Sequence, residues 1–224
     1  MQQTPLFQSN VTEVLVDARD GSRGDVRLYR HWMAAPQADD YLRVLTHELA
    51  WQQSIIKMHG RELPIPRLNA WYGDAGCSYR YSGIAFEPLP WTPSLNAIRQ
   101  QLEVFMSELT STEVRFNSLL ANFYRDGSDS VAWHADDEPE LGLKPLIASL
   151  SLGAERRFGM KPKTALIAAK SLSVDLPHGS LLIMQGETQH HWLHQLAKTT
   201  KSVEPRINLT FRQIKLTKSY KKIP

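Results

Sequence analysis

His134-Ala135-Asp136 is the first group in this chain whose residue types and spacing suit metal chemistry. In an extended segment residues i and i+2 point the same way, so both side chains can reach one ion. A third ligand must come from elsewhere, and His190, His191 and His194 stand downstream at the end of a strand-rich stretch. Two histidines and one carboxylate on one face of an ion leave positions open for substrate and oxygen, the arrangement used in non-haem Fe(II) oxygenation. The competing reading of His134 and Asp136 is a surface histidine beside a solvated acidic run, Asp136-Asp137-Glu138. Only one cysteine is present, Cys77, which excludes an intramolecular disulfide and a cysteine-based zinc site. Any metal must then be held by histidine and carboxylate.

A second pattern lies in Arg206-Ile207-Asn208-Leu209-Thr210-Phe211-Arg212, which alternates strictly over its length. As a strand it turns Ile207, Leu209 and Phe211 to the core and Arg206, Asn208, Thr210 and Arg212 to the other side. That polar face is either the wet side of an edge strand or the wall of a pocket for a dianionic ligand. A guanidinium pairs two carboxylate oxygens, and Asn and Thr add oriented hydrogen bonds.

The elements that must carry these residues follow from periodicity. A first helix is expected from Asp39, with Asp39 as its cap and Leu42, Leu45 and Leu49 at helical spacing. A second has Thr92 as cap, Pro93 at the first helical position, and a stripe of Leu95, Ile98, Leu102, Phe105, Met106 and Leu109. Beyond about residue 114, short apolar or alternating runs are punctuated by Gly, Pro and Asp: 116–124, 146–152, 166–176, 180–185, 190–196 and 206–214. Helices first and strands later argue against a parallel βαβ arrangement. The expected fold is α+β, mainly β: a jelly-roll (double-stranded β-helix) core over about 113–216 within a single domain spanning 1–224. About 1–112 would supply an N-terminal arm ending in short strands, the helices and a hairpin extension.

Apolar residues at 42% and charged residues at 22% are ordinary for a soluble globular chain. No apolar run approaches the ~20 residues of a membrane span, and no signal core opens the sequence. A cytoplasmic monomer with no membrane partner is expected, nuclear if the source is eukaryotic. The net charge of +3 is small, but Lys198, Lys201, Arg206, Arg212, Lys215, Lys218, Lys221 and Lys222 crowd the C-terminal stretch against Glu204 alone. A phosphate backbone attracts such a surface, as it would a merely solvated basic tail.

Taken together, Asn122-Phe123-Tyr124, His134-Ala135-Asp136, His194 and Arg206-x-Asn208-x-Thr210-x-Arg212 resemble the AlkB family of Fe(II)/2-oxoglutarate-dependent nucleic-acid dealkylating dioxygenases. Tyr72-Gly73-Asp74-Ala75-Gly76, Tyr79-Arg80-Tyr81-Ser82-Gly83, Ile147-Ala148-Ser149 and His178-Gly179-Ser180-Leu181-Leu182 extend the likeness over roughly residues 60–214. Within the family it looks nearer the branch that acts on duplex DNA. The resemblance implies Fe(II), 2-oxoglutarate and O2 as cofactors and cosubstrates. It makes His134, Asp136 and His194 the iron ligands, leaves His190 and His191 to cover the sheet or meet substrate, and gives His178 a structural place. It assigns the distal carboxylate of 2-oxoglutarate to Arg212, with Asn122, Tyr124, Asn208 and Thr210 adding hydrogen bonds and Arg206 nearer the metal. Fe(II) with one carboxylate, one dianion and one arginine then comes out about neutral, which a buried site requires.

For substrate the resemblance points to Tyr79, Tyr81, Ser82 and Glu138, with Tyr81 and His134 flanking an extruded base. The implied reaction is oxidative demethylation of N1-methyladenine or N3-methylcytosine in single- or double-stranded DNA. Where duplex-acting relatives carry an aromatic hairpin tip, this chain has Lys57-Met58-His59-Gly60, so Met58 or His59 is the expected base-displacing wedge. Three rivals stand beside this reading. They are the same chemistry on RNA, a protein or a small molecule, a catalytically silent binding module on the same scaffold, and a zinc hydrolase with the same ligands.

Overall fold

The computed structural model describes residues 12–58, 60–77, 79–81, 84–165 and 169–215. In chain order the N-terminal half contains β1 (Thr12–Val16), β2 (Asp25–Tyr29), α1 (Ala35–Glu48), the hairpin β3 (Ile55–Met58) and β4 (Arg61–Pro64), and β5 (Leu68–Gly73). A second hairpin, β6 (Tyr79–Tyr81) and β7 (Ile84–Phe86), precedes α2 (Pro93–Thr110). Then come β8 (Ser118–Tyr124), β9 (Val131–His134), β10 (Ile147–Gly153), β11 (Arg156–Pro162), β12 (Leu172–Leu176) and β13 (Leu181–Gln185). A one-turn helix α3 (Thr188–His191), β14 (Trp192–Leu196) and β15 (Arg206–Arg212) close the fold.

Two antiparallel sheets form the jelly roll. The larger runs β1-β2-β13-β10-β15-β8-β5 and the smaller β12-β11-β14-β9. β1, β2 and β5 all lie before residue 113, so the large sheet is not confined to the C-terminal half as expected. The reason is pairing: Leu181 to Gln185 of β13 lies against Tyr29 to Asp25 of β2, and Leu68 to Gly73 lies against Phe123 to Ser118 of β8.

One face of the large sheet is covered by the helices. Ala148, Leu150, Leu152, Ile207, Leu209 and Phe211 pack there against Leu45, Leu95, Ile98, Leu102 and Met106. The helix α2 begins as its sequence demands, with the Thr92 side chain accepting from the Leu95 N–H at 3.2 Å and Pro93 in the first turn. Its apolar stripe ends one turn early, Leu109 being 44% exposed. For α1 the start differs from expectation. The helix begins at Ala35, with Pro36 in its first turn and no side-chain cap, so Asp39 lies one turn inside. Proline's fixed φ suits the first turn and makes a capping carboxylate unnecessary there.

The other face of the large sheet turns toward the small one. Val26, Leu28, Ile147, Leu182 and Met184 meet Phe158, Met160, Val174, Leu176 and Trp192 in the second core. Beside this apolar filling the same inner face carries the polar row of β15. Arg206 is 2% exposed, Asn208 8% and Thr210 7%, so it is a buried wall and not a wet edge. His178 is structural, as expected: its Nδ1 accepts the Gly153 N–H at 2.8 Å, and Gly179 follows at φ +74° with the Met33 carbonyl in the space a Cβ would need.

Candidate active site

β14 and β9 are neighbours in the small sheet, and their register sets His194 directly against His134. The two imidazoles lie with ring centroids 4.2 Å apart, and Asp136 follows two residues on. Ligand atoms of His134, Asp136 and His194 all fall within 4.8 Å of one another, the scale of one ion's coordination shell. His190 and His191 sit on α3 outside this group, which leaves His194 as the third member.

Each of the three is prepared for a metal. His134 Nδ1 lies 2.8 Å from the Ala132 carbonyl, which can only accept, so Nδ1 carries the proton and Nε2 keeps a lone pair. His194 is buried, with Phe158 stacked on it at 5.5 Å and Nδ1 without a hydrogen-bond partner. Burial and the neighbouring His134 hold its pKa down at about 3, so it is a neutral imidazole. Burial alone would raise the Asp136 carboxyl, but Arg212 and the two histidines outweigh it and bring the pKa to about 2. Two neutral nitrogens and one carboxylate suit a divalent ion with open positions.

Arg212 donates to Asp136 Oδ2 through Nη2 at 2.8 Å and Nε at 3.3 Å, so this arginine belongs to the metal end of the wall. Arg206 lies at the other end of β15, facing Tyr124 across the register with its guanidinium 5.3 Å from the ring. Its Nη2 donates to Ser151 Oγ at 2.9 Å, its Nε has no partner, and no carboxylate pairs with it among the described residues. Burial pushes its pKa down to about 10. A buried cation without a counter-ion is a poor structural element and a good anion receptor. The geometry therefore reverses the expected order of the two arginines: Arg212 is nearest the ligand trio and Arg206 is the isolated one. Sequence spacing alone cannot rank two residues on one face of one strand; the incoming Asp136 loop decides it.

The polar residues between them are already engaged. Asn208 donates to Ser149 Oγ at 2.8 Å and accepts from Thr210 Oγ1 at 2.9 Å. Asn122 Oδ1 accepts from Arg67 Nε at 2.8 Å. Arg67, which also reaches the Ser130 carbonyl at 3.2 Å, was not among the residues singled out from sequence, nor was Trp71. Trp71 lies opposite Leu120, which lies opposite Thr210, and its Nε1 donates to Ser118 Oγ at 2.8 Å. The i, i+2 spacing of Arg67, Asn69 and Trp71 on an alternating strand was the available signal.

Glu138 follows Asp136 by two residues and leads into the short turn Pro139–Leu141. Tyr79 and Tyr81 lie on β6, and Met58 ends β3. His59 and Ser82 fall outside the described residues, as do Lys218, Lys221 and Lys222 of the basic C-terminal stretch. No helix among the described residues is long and apolar enough to cross a membrane.

A jelly roll in which two histidines and a carboxylate converge, with a buried arginine in its wall, defines a class, and residues 25–212 match the 2OG-Fe(II) oxygenase superfamily, named for 2-oxoglutarate and iron. An alpha-ketoglutarate-dependent dioxygenase, alkB homolog 3 of Mus musculus, is 42% identical over 84% of this chain and 66% of its own length. The DNA oxidative demethylase ALKBH2 of Homo sapiens is 38% identical over 81% of this chain and 70% of its own. The solved structure of OsALKBH1 superposes with a TM-score of 0.62 at 17% identity, covering 84% of this chain and 96% of that one, which speaks to the fold. The chain belongs to the 2OG-Fe(II) oxygenase superfamily and, within it, to the AlkB family. It spans just under two thirds of the length of the mouse relative.

Proposed function

We propose that this protein is an Fe(II)- and 2-oxoglutarate-dependent demethylase of N1-methyladenine and N3-methylcytosine in DNA. The observation that carries the reading is the convergence of His134, Asp136 and His194 beside a wall whose Arg206 is buried with no carboxylate partner among the described residues. A relative 38% identical is named a DNA oxidative demethylase, which favours DNA over RNA and protein as substrate.

In this reading Arg206 receives the distal carboxylate of 2-oxoglutarate, backed by Ser151 and Tyr124. Arg212 steadies Asp136 and adds positive charge beside the keto-acid end. Asn122, Asn208 and Thr210 stiffen the wall through their own hydrogen bonds and so hold the pocket's shape. His134, Asp136 and His194 hold the iron, which with 2-oxoglutarate supplies the oxidation. The methyl carbon leaves as formaldehyde while the cosubstrate is decarboxylated to succinate and CO2; formaldehyde and succinate each take one atom of O2. A proton leaves with the formaldehyde, so the cationic ring becomes the neutral parent base with N1 of adenine or N3 of cytosine unprotonated.

The damaged base must leave its stack to reach the metal. Tyr79 and Tyr81 of β6, Ser82 next in sequence and Glu138 beyond the metal ligands are its proposed contacts, with Trp71 as a further aromatic candidate on the inner wall. A cationic alkylated ring suits aromatic faces and a carboxylate. Met58 at the end of β3, or His59 next to it in sequence, is the proposed wedge. The test is a panel of methylated single-stranded DNA, duplex DNA and RNA with Fe(II), 2-oxoglutarate and O2, read as loss of one methyl by mass. DNA substrates should lose the methyl group, and His134→Ala should abolish the loss. Turnover of RNA alone would overturn the DNA assignment. His59→Ala should depress duplex repair more than single-strand repair, and unchanged relative rates would remove it as the wedge.

A further inference from the structure

We propose that Gln189 is a positioning residue for the metal. It fixes the backbone of Asp136 and thereby sets how tightly His134, Asp136 and His194 hold a divalent ion. The inference rests on reading that trio as the metal site.

Gln189 is 1% exposed, and its Oε1 accepts the Asp136 N–H at 2.9 Å. The contact spans 53 positions in the chain. Among the described residues Nε2 at its other end meets only Met184 Sδ at 3.5 Å, a weak acceptor, so Asp136 is the strong partner. Residues 135–138 belong to no strand, and His134 is the last residue held by pairing to β14. The Gln189 bond is therefore a tether on a stretch of backbone that lies outside the strands. Arg212 restrains the same residue from its carboxylate end.

Gln189 can serve as a tether because α3 is itself anchored. Thr188 Oγ1 accepts the Asp25 N–H at 3.0 Å and donates to the Gln185 carbonyl at 2.6 Å. Trp192 Nε1 donates to the Ser22 carbonyl at 2.9 Å. His194 follows two residues later on β14. The short helix thus ties the arm bearing His134 and Asp136 to the arm bearing His194. Residues that orient metal ligands without touching the ion commonly change affinity by 10–100-fold when replaced.

Gln189→Met keeps the length of the side chain and removes the acceptor. Thr188→Val loosens α3 without touching the Gln189–Asp136 bond. Both proteins would be compared with wild type by melting of the metal-free form, by Co(II) calorimetry and by the Co(II) ligand-field absorption. For Gln189→Met the expected result is about 10- to 100-fold weaker Co(II) binding and an altered absorption envelope, with the metal-free melting temperature little changed. Thr188→Val should lower the melting temperature and weaken Co(II) binding less than Gln189→Met does. The proposal is overturned if Gln189→Met binds Co(II) like wild type, or if both variants lose affinity in proportion to lost stability. If wild type and His134→Ala both fail to bind Co(II), the metal site itself is misread, an outcome distinct from the others.

Discussion

Asp136 is held from two directions: its N–H by Gln189 and its carboxylate by Arg212. A carboxylate fixed in this way reaches the ion with little freedom left to lose on binding. The same geometry separates the two arginines of β15 by function. Arg206→Met should raise the KM for 2-oxoglutarate roughly 10–100-fold, since hydrogen bonds to charged groups contribute ~1.5–3 kcal/mol each. The KM for the methylated oligonucleotide should stay unchanged, and steady-state kinetics with each substrate varied in turn would show this split. Arg212→Ala should act differently, leaving Asp136 as a buried charge without its ion-pair partner. Breaking such a pair costs about 3–5 kcal/mol, so denaturant unfolding should report lost stability together with weakened metal retention. Equal effects of both substitutions on 2-oxoglutarate alone would contradict this division of labour between the arginines.

Each face of β15 performs one task. Ile207, Leu209 and Phe211 fasten the strand to the helices, and the alternate residues build the pocket wall. Loosening the first face should therefore disturb stability before chemistry. Leu209→Ala is expected to cost about 2–5 kcal/mol in urea unfolding, as for other fully buried leucines, while turnover by the folded fraction persists. At α2 the Thr92 side chain satisfies the Leu95 N–H, and Thr92→Ala should cost ~1 kcal/mol in the same measurement. The strands that carry the ligands are short, and β9 is an edge strand whose described partner is β14. The ligand geometry thus depends on the pairing that sets His134 against His194.

For the molecule as a whole, acid stability and charge give further tests. In the turn between β8 and β9, Asp129 is 2% exposed and accepts from the Arg125 backbone at 2.9 Å and from its guanidinium at 2.8 Å. Burial opposes its ionisation, but the Arg125 hydrogen bonds prevail and lower its pKa below the ordinary 3.8. A depressed folded-state pKa stabilises the fold above the unfolded value and loses that contribution as pH falls toward the folded one. The melting temperature should therefore drop as pH falls below about 4, and Asp129→Asn should flatten that part of the curve. With a net charge of +3, binding to unmodified DNA measured by fluorescence anisotropy should weaken steeply as salt rises, because bound counterions are released. Salt-independent binding would argue against a phosphate-contacting surface.

What the sequence by itself determined was local: the two-residue alternation of β15, the cap and stripe of α2, and the His-x-Asp spacing each depend on neighbours along the chain. Those patterns were enough to foresee a mainly β jelly roll, two histidines with a carboxylate, and a polar strand face. Strand β11 was not legible, because Arg156-Arg157-Phe158-Gly159-Met160-Lys161-Pro162 lacks a clean apolar alternation, yet it joins β14 to β12. The enlistment of β1, β2 and β5 into the large sheet was equally hidden, since pairing across long loops leaves no periodic trace. Only the tertiary structure decided that Arg212 sits on Asp136 while Arg206 lies buried and without a carboxylate partner among the described residues. Six positions apart on one face, they are equivalent to any local rule; the loop that arrives from β9 makes them different.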